Sequence, residues 1–382
     1  MNIANSSLIQ AIYRGIRIFL GIYVTTLIAS RQGQEVLGYY TFLVSLVLIG
    51  GQVVSLGVDR LILQKNRTDA RRLFAETHSF LVIILVISTI LFLSKTEYLL
   101  IACLIIFDGS NKLSYYYLQS LKKSSTAYLA QDGIWILLFI TEIFLCDQIF
   151  DLVTMFVLAK MTSAVIFLVS LRIKLASNIQ FFKSSVRQGI VFGLDSLAEI
   201  ATKNVDVILL TILGFLSELA EYGVMMRLSV FILMPSIIFN TKYANKIAKS
   251  NPERLLFLKD ISRVSLLISI TIFALTILFF ENIISYWNFS GDVIIYLILG
   301  LGSMIFVATG PNHLVLLYQD YARVNAKISL ILFCLSLILQ SIAFFIQSPI
   351  AFASFYAFIM ALGAVYRAIM VKRILNISVG IF

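Results

Sequence analysis

Residues 189–214 read GIVFGLDSLAEIATKNVDVILLTILG, an apolar run long enough to cross a bilayer as one helix. The run carries four ionisable residues that a helix would place along one stripe: Asp195, Glu199, Lys203 and Asp206. A charge near the centre of a bilayer costs on the order of 3 kcal/mol unless it is paired or faces water. The stripe is therefore predicted to face the interior of a helix bundle or a hydrated cavity.

The composition of the whole chain indicates a polytopic membrane protein. Hydrophobic residues make up 60% of the 382 residues and charged residues only 13%, which lies far outside the range of soluble domains. Two His and three Cys cannot assemble a recognisable metal site or disulfide framework, so we expect no metal and no cofactor. The first apolar run lacks a basic segment before it, so we expect no cleavable signal peptide.

Windows of about 20 apolar residues predict an all-α protein with about twelve transmembrane helices. They lie at roughly 8–29, 38–61, 78–94, 98–120, 127–145, 151–171, 189–213, 221–240, 263–281, 292–315, 328–346 and 349–371. The connections alternate between a basic set with twenty Lys or Arg and a set with two, Arg31 and Lys95. By the positive-inside rule, both termini are predicted to be cytoplasmic. The net charge of +10 is then a topology signal, and we expect no nucleic-acid partner.

The long basic loop at residues 172–188 divides the chain into two sets of six spans. We predict an N-terminal six-helix bundle at 1–171, a cytoplasmic linker at 172–188, and a C-terminal six-helix bundle with a short cytoplasmic tail at 189–382. Pseudo-symmetric halves around a central cavity are a recurrent transporter plan. Pro235 and the Gly310-Pro311 pair predict kinks in two spans of the second half.

Some Lys and Arg lie within the predicted spans, and depth along the helix separates them at about 1.5 Å per residue. Arg60 and Arg367 lie near cytoplasmic ends, where snorkelling to the interface is the expected explanation. The strongest interior cations are Arg17, Lys112, Lys160 and Lys203.

Acidic residues in the spans have two interpretations. Asp108–Lys112 and Glu199–Lys203 are spaced i, i+4 with the acid first, so both are predicted ion pairs that could simply help insertion. Intramembrane carboxylates are also the usual relays for ions. The candidates for H+ or Na+ coupling are Asp108, Asp195, Glu199 and Asp206.

Several short motifs resemble one transporter family. In the first half they are Tyr13-Arg14-Gly15-Ile16-Arg17, Glu35-Val-Leu-Gly-Tyr-Tyr40 and Ser55-Leu-Gly-Val-Asp-Arg60; in the second half they are Gly193-Leu-Asp195, Asn204-Val-Asp206, Ala220-Glu-Tyr-Gly223 and Pro235. With them, the chain resembles the polysaccharide-repeat flippases (Wzx type) of the multidrug/oligosaccharidyl-lipid/polysaccharide exporter superfamily.

The resemblance implies two six-helix bundles that open alternately to the two sides of a bacterial inner membrane. It implies that the substrate is an oligosaccharide repeat on undecaprenyl pyrophosphate, flipped for O-antigen (lipopolysaccharide) or capsule synthesis, with polysaccharide polymerase machinery as a further partner. It also implies a cationic substrate cavity, to which we assign Arg14, Arg17, Lys112, Lys160, Lys203 and Arg227. A pyrophosphate in a low-dielectric core needs such cations.

Three other functions fit parts of the sequence. A multidrug exporter of the same superfamily would line its pocket with carboxylates and aromatics, against which the interior Lys and Arg argue. A major-facilitator transporter also has six plus six spans, and Gly57-Val-Asp-Arg60 is similar to its loop motif, but the following residues lack the required Gly and basic residues. A membrane enzyme needs a large extramembrane loop, whereas the longest here, about 241–262, is short and basic. We therefore expect no enzymatic activity.

Overall fold

The computed structural model describes residues 3–55, 57–121, 123, 126–127, 129, 133–143, 149–171, 179–249, 255–286 and 291–381. Within these ranges the chain forms sixteen helices and no strand, as expected for an all-α protein. They are α1 (Ile3–Gln32), α2 (Gln34–Ser55), α3 (Val58–Ile62), α4 (Arg67–Phe92), α5 (Thr96–Ser120), α6 (Ile134–Ile143), α7 (Ile149–Ser170), α8 (Ile179–Thr202), α9 (Val205–Ile212), α10 (Leu216–Lys249), α11 (Phe257–Leu278), α12 (Phe280–Tyr286), α13 (Val293–Thr309), α14 (Asn312–Tyr318), α15 (Ala322–Ile346) and α16 (Pro349–Leu375).

Helices overlie every one of the twelve predicted spans within the described ranges. Among the described residues, seven helices are long and apolar enough to cross a membrane on their own, and α13 with α14 forms an eighth candidate bent by 49°. Several of these helices expose large apolar side chains, such as Ile90 (71%), Leu278 (71%) and Phe345 (83%). Such surfaces are typical of helices that face lipid. The chain is therefore a multi-span membrane protein, and the count of twelve stays a prediction.

The chain packs as two compact units. Unit 1 consists of Met1–Leu27 and Leu43–Leu197, and unit 2 of Ile28–Phe42 and Ala198–Phe382. The predicted division into a bundle at 1–171 and a bundle at 189–382 stays a prediction. Within the predicted linker, residues 172–178 lie outside the described residues, and helix α8 begins at Ile179.

Within the described residues, four of the predicted spans are divided between two helices, one of them only near its end, where Phe279 separates α11 from α12. Gly57, with φ +73°, separates α2 from α3. A turn at Lys203-Asn204 separates α8 from α9, and Gly310-Pro311 separates α13 from α14. The 49° bend at Gly310-Pro311 confirms that predicted kink, because Gly310 takes a left-handed φ of +80° that ends the helix. Helix α10 continues through Pro235, where a kink stays a prediction.

Gly57 also marks a close backbone approach in unit 1. A Cβ atom at this position would collide with the backbone of Gly189 and Gly193 on α8, lying 2.7 Å from Gly193 Cα. The absence of a side chain therefore brings the α2–α3 junction directly against α8.

The segment after α16 returns to the bend between α13 and α14 in unit 2. Ile381 N donates to Ala308 O at 2.9 Å, and the Ser262 hydroxyl lies 2.9 Å from Val379 O. Ile377 and Val379 are buried in the apolar core of that unit. This segment thus satisfies a carbonyl at the end of α13 that has no partner within its own helix.

Candidate functional site

Unit 1 holds a group of residues around the buried Lys160, here called the Lys160 cluster and made of Asp108, Trp135 and Lys160. Lys160 Nζ donates to Asp108 Oδ1 at 2.7 Å, and the two side chains are only 5% and 9% exposed. The same ammonium lies 4.0 Å from the centroid of the Trp135 ring, a cation–π contact. Helices α5, α6 and α7 thus meet at one cation.

The predicted ion pair between Asp108 and Lys112 is wrong, because Asp108 pairs with Lys160. Lys112 Nζ lies 3.4 Å from Leu48 O and 3.5 Å from Gln52 Oε1 instead. The i, i+4 spacing allowed the pair, but the packing of α5 against α7 brings Lys160 within hydrogen-bonding distance of Asp108. Lys112 is therefore a buried cation whose described contacts are neutral oxygen atoms.

Arg60 does not snorkel to the interface, so the prediction made from its depth is wrong. Its Nη1 donates to Asp195 Oδ2 at 2.8 Å, with Asp195 fully buried and the Arg60 side chain 14% exposed. The contact joins α3 to α8 within unit 1, beside the close approach at Gly57. The position of the Arg60 side chain is thus explained by its buried partner Asp195 and not by the depth of Arg60 along the helix.

The predicted stripe along the seventh span does not form a continuous row. The turn at Lys203-Asn204 ends α8, so Asp206 begins a separate helix, α9. Asp206 is fully buried and accepts hydrogen bonds from the Tyr222 hydroxyl and from Val207 N, the latter at 2.9 Å. The acidic residues of this span therefore have separate partners: Arg60 for Asp195, Lys203 for Glu199, and Tyr222 for Asp206.

Unit 2 contains a cavity of about 40 Å³, here called the Arg367 cavity. Helices α8, α13, α15 and α16 contribute its lining residues, which are Glu199, Thr202, Lys203, Phe306, Ser329, Leu332, Tyr356, Ile359, Met360 and Arg367. Lys203 Nζ donates to Glu199 Oε1 at 2.8 Å, which confirms that predicted pair. The side chains of Lys203 and Glu199 are 40% and 24% exposed.

A chain of polar contacts holds Arg367, which also lines this cavity. Its Nε donates to Asn325 Oδ1 at 3.0 Å and its Nη2 to Ser329 Oγ at 2.8 Å. Asn325 Nδ2 lies 3.0 Å from His313 Nδ1, and His313 Nε2 lies 3.5 Å from Glu199 Oε2. Arg367 is 8% exposed, so the prediction that it snorkels to the interface is wrong.

Arg227 lies in unit 2 and is not among the residues that line the Arg367 cavity. Its guanidinium carbon lies 5.8 Å from the centroid of the Tyr40 ring. Its Nη1 atom is buried and has no hydrogen-bond partner in the described part of the chain. A buried guanidinium nitrogen without an acceptor is costly, and an anionic ligand would remove that cost.

The predicted cationic residues therefore fall into several places. Lys160 pairs with Asp108, Lys112 contacts Leu48 and Gln52, Lys203 lines the Arg367 cavity, and Arg227 packs on Tyr40. Arg14 and Arg17 belong to α1, but their side chains lie outside the described part of the structure. The sequence did not single out His313, which could have been suspected as one of two His, placed directly after the Gly310-Pro311 break.

Comparison with known proteins defines the fold. No family model matches the sequence, and no curated protein sequence matches it. Among solved structures, the MATE multidrug transporter DinF-BH superposes with a TM-score of 0.70 at 17% identity, over 98% of this chain and 95% of that one. An outward-facing multidrug resistance MATE transporter of the MOP superfamily gives 0.62 at 14% identity over the same shares.

A third structure has a pocket of different character. It is a MOP superfamily transporter from Pyrococcus furiosus, described as having a binding pocket of reverse polarity that suggests a different function. It gives a TM-score of 0.60 at 14% identity, over 98% of this chain and 95% of that one. The chain thus shares the fold of these MATE-like transporters. This is the kind of fold that the resemblance implied, and the major-facilitator fold is disfavoured.

Proposed function

We propose that the protein is a flippase that moves an oligosaccharide linked to undecaprenyl pyrophosphate across the bacterial inner membrane for O-antigen or capsule synthesis. The supporting observation is Arg227, a cation in a membrane-embedded helix with a buried Nη1 atom that lacks an acceptor among the described residues. The guanidinium group matches the geometry of phosphate oxygens and stays charged when desolvated.

The state of the carboxylates supports an anionic substrate over a cationic drug. Asp108, Asp195 and Glu199 each pair with a Lys or Arg within 2.8 Å, and Asp206 accepts from Tyr222 and its own helix. A cationic drug would have to compete with these partners. A pyrophosphate, by contrast, would find in Arg227 a guanidinium whose buried Nη1 atom has no acceptor among the described residues.

The proposal includes the predicted topology and the predicted coupling. We expect twelve spans in two bundles, alternating access, cytoplasmic termini and contact with polymerase machinery. Of the four candidate coupling carboxylates, Asp206 is favoured, because among the described residues no Lys or Arg lies within ion-pair distance of it. Transport that ignores imposed pH and Na+ gradients would remove coupling from the proposal.

The test is flipping of a labelled lipid-linked oligosaccharide in proteoliposomes. Arg227→Gln is expected to slow flipping about tenfold or more, since a hydrogen bond to a charged group contributes about 1.5–3 kcal/mol. The matched control is Arg373→Gln, which removes an exposed guanidinium from α16 of the same unit and should flip at the wild-type rate. Equal rates for R227Q and R373Q at equal incorporation would contradict the proposal. Movement of a cationic dye without movement of the lipid-linked sugar would favour the multidrug exporter.

A further inference from the structure

The Arg367 cavity has the size of one small functional group. A volume of about 40 Å³ holds roughly three water molecules or a single carboxylate. Among the lining residues, the Lys203 side chain is 40% exposed, whereas Arg367 is only 8% exposed.

The lining of this cavity carries an excess of positive charge. Lys203 and Arg367 are cations, and Glu199 is the one carboxylate among the lining residues. Both oxygen atoms of Glu199 already have partners, Lys203 on Oε1 and His313 on Oε2. Much of the remaining lining is apolar, including Leu332 and Ile359, so an anion placed here would interact with the two cations through a low dielectric.

Arg367 is held in a fixed orientation before any ligand arrives. Asn325 accepts from its Nε and Ser329 from its Nη2, and Asn325 is in turn in contact with His313. Such support reduces the entropy lost on binding. Ser329, whose hydroxyl accepts from Arg367, lines the cavity as well.

We propose that the Arg367 cavity binds one carboxylate group, between the ammonium of Lys203 and the guanidinium of Arg367. The group comes either from an acidic sugar of the transported oligosaccharide or from a free carboxylate anion. The first source rests on the proposed function and would narrow its substrate class to oligosaccharides that contain a uronic or similar acid. The second source does not depend on it.

Binding is tested with sodium formate as the probe and the purified full-length protein in lipid nanodiscs. Formate should raise the Tm of the wild-type protein above its value in sodium chloride at the same ionic strength, because a ligand that binds only the folded state stabilises it. The rise should be absent in Arg367→Gln and retained in the control Arg373→Gln. An equal rise in R367Q, or equal Tm values of the wild-type protein in formate and chloride, would overturn the proposal.

Two further variants keep the test decisive if R367Q does not fold. Arg367→Lys keeps the charge but lacks the planar fork, and Ser329→Ala removes one acceptor that orients it. Each should weaken the formate effect several-fold in a titration. Formate titrations that match the wild type for both variants would overturn the proposal.

The source of the carboxylate is tested by transport. In proteoliposomes, R367Q should slow the flipping of a lipid-linked oligosaccharide with a uronic acid about tenfold more than it slows the flipping of the neutral analogue. That result supports the acidic sugar. Equal slowing of both, with formate binding intact in the wild type, supports the free anion. Failure to flip any lipid-linked oligosaccharide would contradict the proposed function, while the formate result would still decide the cavity.

Discussion

The Lys160 cluster and the Arg367 cavity show two ways of keeping charge inside a membrane-embedded fold. In the first, Lys160 and Asp108 come from different helices and are 5% and 9% exposed. In the second, Lys203 and Glu199 come from one helical turn and are 40% and 24% exposed. Both pairs have N–O distances of 2.7–2.8 Å, so distance alone does not separate them.

The difference lies in what happens when a partner leaves. Removing one member of a buried ion pair leaves the other charge unpaired in a medium of low dielectric constant. When the pair is partly exposed, water hydrates the charge that remains. The Lys160–Asp108 pair is therefore expected to hold helices together. The Glu199–Lys203 pair, by contrast, can rearrange around a ligand. Four substitutions would break or sharpen this contrast.

The largest effect is expected at Gly57 in unit 1, compared with Gly214 in unit 2. Both have a left-handed φ, +73° and +76°, but a Cβ at Gly57 would collide with Gly189 and Gly193 while one at Gly214 has nothing within 4 Å. Gly57→Ala should cost more than about 4 kcal/mol, and Gly214→Ala about 1–2 kcal/mol from the backbone conformation alone. The free energy of unfolding from denaturant titration in micelles measures both. Similar losses would show that the close approach at Gly57 is not needed.

The second-largest loss of stability is expected for Asp108→Asn. It keeps the size of the side chain but leaves the Lys160 ammonium without its carboxylate in a buried position, at an expected cost of about 3–5 kcal/mol. Denaturant titration measures the loss, and adding Lys160→Met should recover much of it because the stranded charge is gone. A double variant as unstable as D108N would argue against the stranded charge as the cause.

Asn325→Ala in unit 2 should have an intermediate effect. It removes the acceptor of Arg367 Nε and the partner of His313 Nδ1, which is expected to cost about 1–3 kcal/mol. Asn240→Ala is the control, since Asn240 has a longer contact of 3.3 Å to Ser236 and should cost less. Unfolding that is unchanged in N325A would mean that the chain from His313 to Arg367 does not support the fold.

Glu199→Gln should have the smallest effect, below about 1 kcal/mol, because Lys203 remains partly hydrated. The difference from wild type should shrink further as salt is raised, owing to screening. Unfolding at low and high salt measures this. A loss as large as that of D108N would remove the distinction between the two regions.

Local relations were predictable from the sequence and distant ones were not. Glu199–Lys203 was predicted because i, i+4 spacing places two side chains together on any helix. Asp108 pairs with Lys160 rather than Lys112 because α7 packs against α5, and the sequence does not state which helices are neighbours. The helices themselves follow from apolar windows, which need no knowledge of packing.

The same limit explains the errors at Arg60 and Arg367. Depth along a helix predicts the distance to the interface but not whether Asp195, or Asn325 and Ser329, lie beside the guanidinium. The break after Lys203 did have a local signal. Asn204 competes for backbone hydrogen bonds, and its Nδ2 donates to Ile200 O, at the end of α8.

The segment after α16 has a consequence for the order in which the chain can be completed. The carbonyl of Ala308, at the bend between α13 and α14, receives its hydrogen bond from Ile381 N. A ribosome makes α13 and α14 well before residue 381, so the bend enters the membrane with that carbonyl still lacking its final donor. Closure of the bend therefore has to wait until the segment after α16 has been made.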